Sequence, residues 1–249
     1  MGRITVHRVD DVLVATIDTP GRLNAWTRAM RADLIHILER ELKTDICSGA
    51  VITGAGEAFC AGQDFHEVAT WEADTPWVDE IHDVYARLLQ LDKPVVAAVN
   101  GVAAGSGFQL ALLCDHRVAH AGVRMGQTEV RWGLASVVGT WFIERSLGAS
   151  KARELALSGR LMEGEELLAT GLIDTLAAPG QVVPAAVQAC RKLAANPAAS
   201  FRITKRWLYQ NMAADMARVF RQAADAHRAG FDSGSSQQGA DLFLHRKPA

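Results

Sequence analysis

Lys93–Asp115 reads KPVVAAVNGVAAGSGFQLALLCD, and it decides the fold class. Val95 to Val99 is a short, valine-rich run of the kind seen in strands buried on both faces, and it runs into Asn100-Gly101. A second turn, Gly105-Ser106-Gly107, opens an apolar segment through Leu113 that reads as a helix. The first N–H groups of such a helix lack partners and lie at the positive end of its dipole, so a developing anion is stabilised there. Taken alone, the turn has two other readings. It is a tight strand-to-helix turn and nothing more, or part of a dinucleotide fingerprint. Against the fingerprint, Leu110 stands where the third small residue belongs, and the next apolar strand, His116 to Ala119, ends without an acid.

Working outward, Val12 to Ile17 reads as a strand ended by Thr19-Pro20-Gly21. The helix that follows carries Met30, Leu34, Ile37, Leu38 and Leu42 at helical spacing. A second strand, Ala50 to Thr53, runs into Gly54-Ala55-Gly56 and then into Phe59-Cys60-Ala61-Gly62-Gln63-Asp64-Phe65, where small residues let backbone donors approach a ligand. Pro76 to Leu91 is expected to be helical, with a face of Trp77, Ile81, Val84, Tyr85 and Leu88. Strand and helix alternate, which argues for an α/β sheet. After Arg160 the pattern is helical only, over Glu163 to Thr170, Pro184 to Ala195 and about Ala198 to Ala229. The expected organisation is a core over 1–195 and a C-terminal helical region over 196–249. Its tail, FDSGSSQQGADLFLHRKPA, reads as a Ser/Gly/Gln-rich hinge and a short amphipathic piece, Ala240 to His245, able to dock on a neighbour.

With 49% hydrophobic and 22% charged residues in 249, the chain can bury a sizeable core. A formal charge of −2 gives no basic excess for nucleic acid or an anionic membrane, so a small-molecule partner is expected. Cys47, Cys60, Cys114 and Cys190 are too scattered for a metal cluster and read as reduced packing residues. No metal site is expected. Neither a signal-like h-region nor an apolar run of membrane length is visible, so a cytoplasmic location is expected. His66 and His82 are expected to be exposed.

Together, Leu23-Asn24-Ala25, FCAGQDF, the Lys93–Asp115 stretch, MGQTEV with Gly133-Leu134, and Ala198 to Lys205 resemble the crotonase (enoyl-CoA hydratase/isomerase) superfamily, from Val12 to about Lys247. The resemblance implies a crotonase fold of repeated ββα units, a coenzyme A thioester as substrate with no other cofactor, and a homotrimer or hexamer. It places two oxyanion-hole N–H groups on Gln63, after Ala61-Gly62, and on Ser106, between Gly105 and Gly107, with Ala61 and Asp64 near the adenine. Each such donor is typically worth ~3 kcal/mol to an enolate.

The family's two hydratase glutamates fall on Gln109 and Glu129, so one carboxylate remains. A glutamine amide does not exchange protons at neutral pH, whereas an enclosed carboxylate can. Members with one glutamate include enoyl-CoA isomerases and carboxymethylproline synthases, which decarboxylate malonyl-CoA and add the enolate to a cyclic imine. Gly107-Phe108-Gln109, Asp64-Phe65, Trp77 and His227 look like the synthase, in which Glu129 would serve the acceptor side, Gln109 would hydrogen-bond a carboxylate or the imine, Trp77 would be an apolar wall and His227 would donate to an anion. Ser106, where a bulkier residue is usual, and Gln63, where a glycine is usual, depart from it. His227 also shares a face with Phe220, Ala224 and Phe231 and reads equally as a buried structural histidine, while a tryptophan such as Trp77 is more often core than substrate wall. A simple malonyl- or methylmalonyl-CoA decarboxylase and a non-catalytic RNA-binding or scaffold homologue stand as alternatives; the acidic balance argues against RNA. The missing second glutamate predicts weak crotonyl-CoA hydration, checked by steady-state turnover; a rate typical of good hydratases would contradict it.

Overall fold

In the computed structural model, which describes residues 2–245, strands from successive segments are dealt alternately into two sheets. The elements in chain order are β1 (Arg3–Val9), β2 (Val12–Asp18), α1 (Arg28–Leu42), β3 (Gly49–Gly54), β4 (Ala58–Cys60), α2 (Phe65–Val68), α3 (Trp77–Leu89), β5 (Val95–Val99), β6 (Val102–Ala104), α4 (Ser106–Leu113), β7 (His116–Ala119) and β8 (Arg124–Gly126). A 3-10 turn (Glu129–Trp132) precedes α5 (Val137–Ser158), β9 (Met162–Glu163), α6 (Gly164–Ala169), β10 (Thr175–Leu176), α7 (Val182–Ala194), α8 (Ala198–Asp232) and α9 (Ser235–His245).

One sheet has the order β1-β2-β3-β5-β7-β10 and the other β4-β6-β8-β9. Each ββ step of a repeat therefore gives its first strand to the large sheet and its second to the small one. From β2 to β10 the large sheet is parallel. Every residue of β3 and β5 is buried, since helices cover one face and the small sheet's side of the core the other. This is the α/β crotonase architecture with a helical C-terminal region.

Five expectations are corrected. β1 was not foreseen: its residues are largely exposed and alternate with charges, and it forms an antiparallel edge on β2. α5 was missed because Gly148, at φ 80°, breaks it into two pieces that bury different faces, Phe142 and Ile143 before the kink and Ala152 and Leu155 after it, so no single 3.6-residue stripe runs along the sequence. The region after Arg160 is not purely helical, because β9 pairs with β8 and β10 with β7. Nor is most of the tail a hinge. Ser235–His245 is one helix, Ala240 is buried, and Phe243 stacks on Phe65 of the same chain with ring centroids 4.3 Å apart. Residues 246–249, the end of the expected C-terminal region, lie outside the described residues. His66 is exposed, but His82 is half-buried with its ring 4.9 Å from Phe220. No helix among the described residues is long and apolar enough to cross a membrane. Phe243→Ala removes a half-buried ring packed between Phe65 and Trp132, and denaturant unfolding is expected to show a loss of about 1–2 kcal/mol, less than for a fully buried aromatic; an unchanged midpoint would show that α9 is not held there.

Candidate active site

The two small-residue turns follow β4 and β6, parallel neighbours in the small sheet, so both end at the same edge. Gly62 takes φ 98°, and a Cβ there would sit 2.8 Å from the Ala104 carbonyl oxygen and 3.4 Å from the Ser106 nitrogen. The turns therefore touch, and glycine is what lets them. Trp26 bridges onto the first turn: its N–H donates to Gly62 O at 2.9 Å, and it accepts from Asp64 N–H at 3.2 Å. That pairing skips the Gln63 N–H. Ser106 is the first residue of α4, where a helical partner does not exist. Among the described residues neither the Gln63 nor the Ser106 N–H has an acceptor. The Ser106 hydroxyl faces away from this role, accepting from Trp26 Nε1 at 2.8 Å. Gly107 lies flat on Cys60, whose carbonyl oxygen would be 2.1 Å from a Cβ. The Cys60 and Cys114 thiols are each pushed up to about 12 by burial and stay protonated.

Gly105 at φ 56° leaves room for Glu129, whose Oε1 would be 3.0 Å from a Cβ at that position. Glu129 is half-buried, and enclosure of its carboxyl end pushes its pKa up to about 7, opposed by its own N–H and that of Thr128. A chain of hydrogen bonds leads to it. Tyr85 Oη donates to Gln109 Oε1 at 3.0 Å. Gln109 Nε2 donates to Gln127 Oε1 at 2.7 Å, and Gln127 Nε2 donates to Glu129 Oε1 and Oε2 at 3.0 and 3.1 Å, the amide orientation that satisfies both of its ends. These bonds favour the ionised carboxylate, against the desolvation that disfavours it. Gln127 and Tyr85, both fully buried, were not singled out from sequence: one lies inside the quoted MGQTEV segment and the other on an apolar stripe that reads as packing.

Gln63, Ser106, Gln109 and Glu129 line one cavity of about 50 Å³, and Trp77 and His227 close it from α3 and α8. That is room for a few waters. The Trp77 and His227 rings meet edge to face, 4.4 Å apart, so each is both core and cavity wall. Burial pushes His227 down to about 4, which makes it a neutral imidazole at pH 7 rather than a cation for an anionic group. Its Nδ1, and Oγ of Ser136 on the same wall, are buried without partners. Ser136 carried no sequence signal, because it sits in a loop of no regular spacing.

On the other side of Gln63 is a groove of about 520 Å³ that holds Ala61, Asp64, Arg22, Arg124 and Arg131, with Phe243 of α9 on its wall. Asp64 caps α2 by accepting from His66 N–H at 3.0 Å and pairs with Arg22 at 2.6 Å. The carboxylate is thus engaged within the protein. The arginines here were not anticipated; they bring positive charge to a groove that leads to the two N–H groups.

A sequence profile described as Enoyl-CoA hydratase/isomerase matches residues 8–249. The chain is 32% identical over 243 residues to a putative enoyl-CoA hydratase of Thermus thermophilus, covering 95% of this chain and 96% of the relative. It is 28% identical to carboxymethylproline synthase of Pectobacterium carotovorum, over 92% and 93%. The solved structure of Pseudomonas aeruginosa OdaA superposes with a TM-score of 0.86 at 28% identity, over 98% and 99%. The chain belongs to the enoyl-CoA hydratase/isomerase family, and it is an acyl-CoA enzyme of that family.

A histidine held at about 4 in the folded protein and near its ordinary 6.5 when unfolded takes its proton first in the unfolded chain. Its contribution is complete above pH 6.5 and is lost as pH falls towards 4, by on the order of 3 kcal/mol at 1.36 kcal/mol per pKa unit. Urea unfolding at pH 7 and pH 4.5 is expected to show a smaller acid loss for His227→Leu than for the unaltered protein; equal losses would place the imidazole in water.

Proposed function

We propose that this protein forms a thioester enolate at the Gln63 and Ser106 N–H groups by decarboxylating malonyl-CoA, and joins the enolate to a cyclic imine such as pyrroline-5-carboxylate. The observation that carries this reading is the single carboxylate. Glu129 faces the cavity, and the position across from it holds the Gln109 amide, fixed by Tyr85 and Gln127. Loss of CO₂ leaves its bonding electrons on the α-carbon and thioester oxygen, so the two N–H donors do most of what the step requires. The α-carbon then attacks the imine carbon, the C=N π electrons pass to nitrogen, and nitrogen takes a proton. Glu129 serves that side as the acid, with a pKa near 7 that suits proton transfer at neutral pH.

The size of the cavity supports a short acyl group. Ser136 Oγ and His227 Nδ1, unpartnered in an otherwise apolar wall with Val137, Ile81 and Phe220, support a polar second substrate over a hydrocarbon chain. The groove with Arg22, Arg124 and Arg131 suits the phosphates of CoA, and assembly as a homotrimer or hexamer belongs to the same proposal. A second reading rests on the Glu129 pKa alone: a single base near 7 also suits proton transfer along a 3-enoyl chain, as in an isomerase.

Mass spectrometry of products from malonyl-CoA with and without pyrroline-5-carboxylate, beside 3-hexenoyl-CoA, separates these readings. A carboxymethylproline mass that requires both partners is expected; conversion of 3-hexenoyl-CoA alone would replace the synthase with an isomerase. Glu129→Gln is expected to lower product formation by about 10²–10⁴ with CoA binding kept. Because Glu129 acts in its protonated form, the rate is expected to fall as pH rises through about 7, and that limb should vanish in Glu129→Gln. A limb that survives in the variant would assign the titration to another group.

A further inference from the structure

Arg31, on the inner face of α1, is 1% exposed. Its Nη1 donates to Gln63 Oε1, while Nε and Nη2 are buried without a partner. Among the described residues no carboxylate is in contact with it: Glu80 pairs with Arg28 and Glu67 accepts from the Arg28 N–H at 3.0 Å, and both act on the guanidinium only through their fields. Nearby, Tyr85 and Cys60 are buried and held protonated, Tyr85 well above its ordinary range. The guanidinium lies 5.9 Å from the Trp26 ring centroid, and Trp26 in turn holds Ser106 through its indole N–H. Arg31 and Trp26 thus back the two residues whose N–H groups face the cavity. Desolvation lowers the guanidinium pKa only to about 10, so the charge persists at neutral pH.

A buried charge with no carboxylate in contact, and two of its N–H groups unpartnered, is unfavourable unless another state of the protein supplies the anion. We propose that Arg31 is the positioning residue and fixed positive charge of the oxyanion hole, holding the Gln63 amide and offsetting the negative charge that forms on the bound thioester. This rests on the enolate reading of the site. Gln63 is the link: it lines the cavity, its side-chain oxygen is taken by Arg31, and its Nε2 has no partner, leaving an amide polarised by a cation with a donor to spare. Substrate contact belongs to Gln63; Arg31 acts through it and through its field, which enclosure strengthens.

The test uses the whole protein and acetoacetyl-CoA, whose enolate absorbs in the near ultraviolet and whose ionisation requires no decarboxylation or acceptor. Titration of the bound ligand gives its apparent pKa. In the unaltered protein this is expected to lie below the value for free acetoacetyl-CoA. Arg31→Met, and Arg31→Gln, which can still donate to Gln63, are each expected to raise it by about one unit, tenfold less enolate at a given pH, with no fall in Tm because an unpaired charge has left the core. Arg31→Lys, which keeps the charge, should recover most of the effect. If Arg31→Gln ionises the ligand as the unaltered protein does, Arg31 is structural and the inference is overturned. Should the unaltered protein bind acetoacetyl-CoA without lowering its pKa, the enolate reading falls and the inference with it. Lowered ligand pKa without any carboxymethylproline product would leave Arg31's role standing and remove only the synthase assignment.

Discussion

The rest of the site depends on the contact between the turns at Gly62 and Ala104–Ser106. Two backbone segments approach more closely there than any side chain would allow, and they do so because β4 and β6 are parallel neighbours whose ends share an edge. Parallel pairing is itself a consequence of dealing successive strands into two sheets, which needs each repeat to cross back through a helix or loop. From that contact follow the two unpartnered N–H groups, the start of α4 with its dipole aimed at the cavity, and the position of Gly105 that admits Glu129.

The chemistry is set by what the enclosure does to polar groups. Glu129 is driven towards its neutral form by desolvation and back towards its ionised form by its own N–H and that of Thr128, with the Gln127 amide donating to the same carboxylate, which leaves it able to exchange a proton near neutrality. The same burial deprives His227 of its charge and leaves Arg31 with two unpartnered N–H groups and no carboxylate in contact. The proposed enolate, an anion that exists only during turnover, accounts for this surplus of donors. On the proposed reading, the wall of Ser136 and His227 receives a second, polar molecule, and the cavity of about 50 Å³ suits a short acyl group.

Much of the core was legible because its signals are local. Valine-rich runs ending in glycine gave β3 and β5, and the small residues around Gln63 and Ser106 marked both turns. Glu129 and Gln109 could be placed because they fall at fixed distances from those turns in a family pattern. Arg31, Tyr85, Gln127 and Ser136 were not legible as site residues, since Ser136 reaches the cavity, and the other three reach its lining side chains, from segments whose own periodicity reads as packing or loop. Arg31 sits one position after Met30 on α1, where a charged residue reads as the start of a solvated face; only the position of Gln63, 32 residues on, turns it inward. The kink at Gly148 hid α5, and the turn at Ser233-Gly234 with the serines after it disguised the start of α9 as a hinge, because composition says nothing of the aromatic cluster of Phe65, Trp132 and Phe243 that holds that helix.

The central claim is that the thioester oxygen is received by the Gln63 and Ser106 N–H groups. A crystal structure with a non-reactive malonyl-CoA analogue tests it directly. The account predicts the oxygen at about 2.7–3.1 Å from both nitrogens, with the acyl group between Glu129 and Gln109. An acyl oxygen bound to the Gln109 amide or to Ser136, with either backbone N–H left empty, would contradict it.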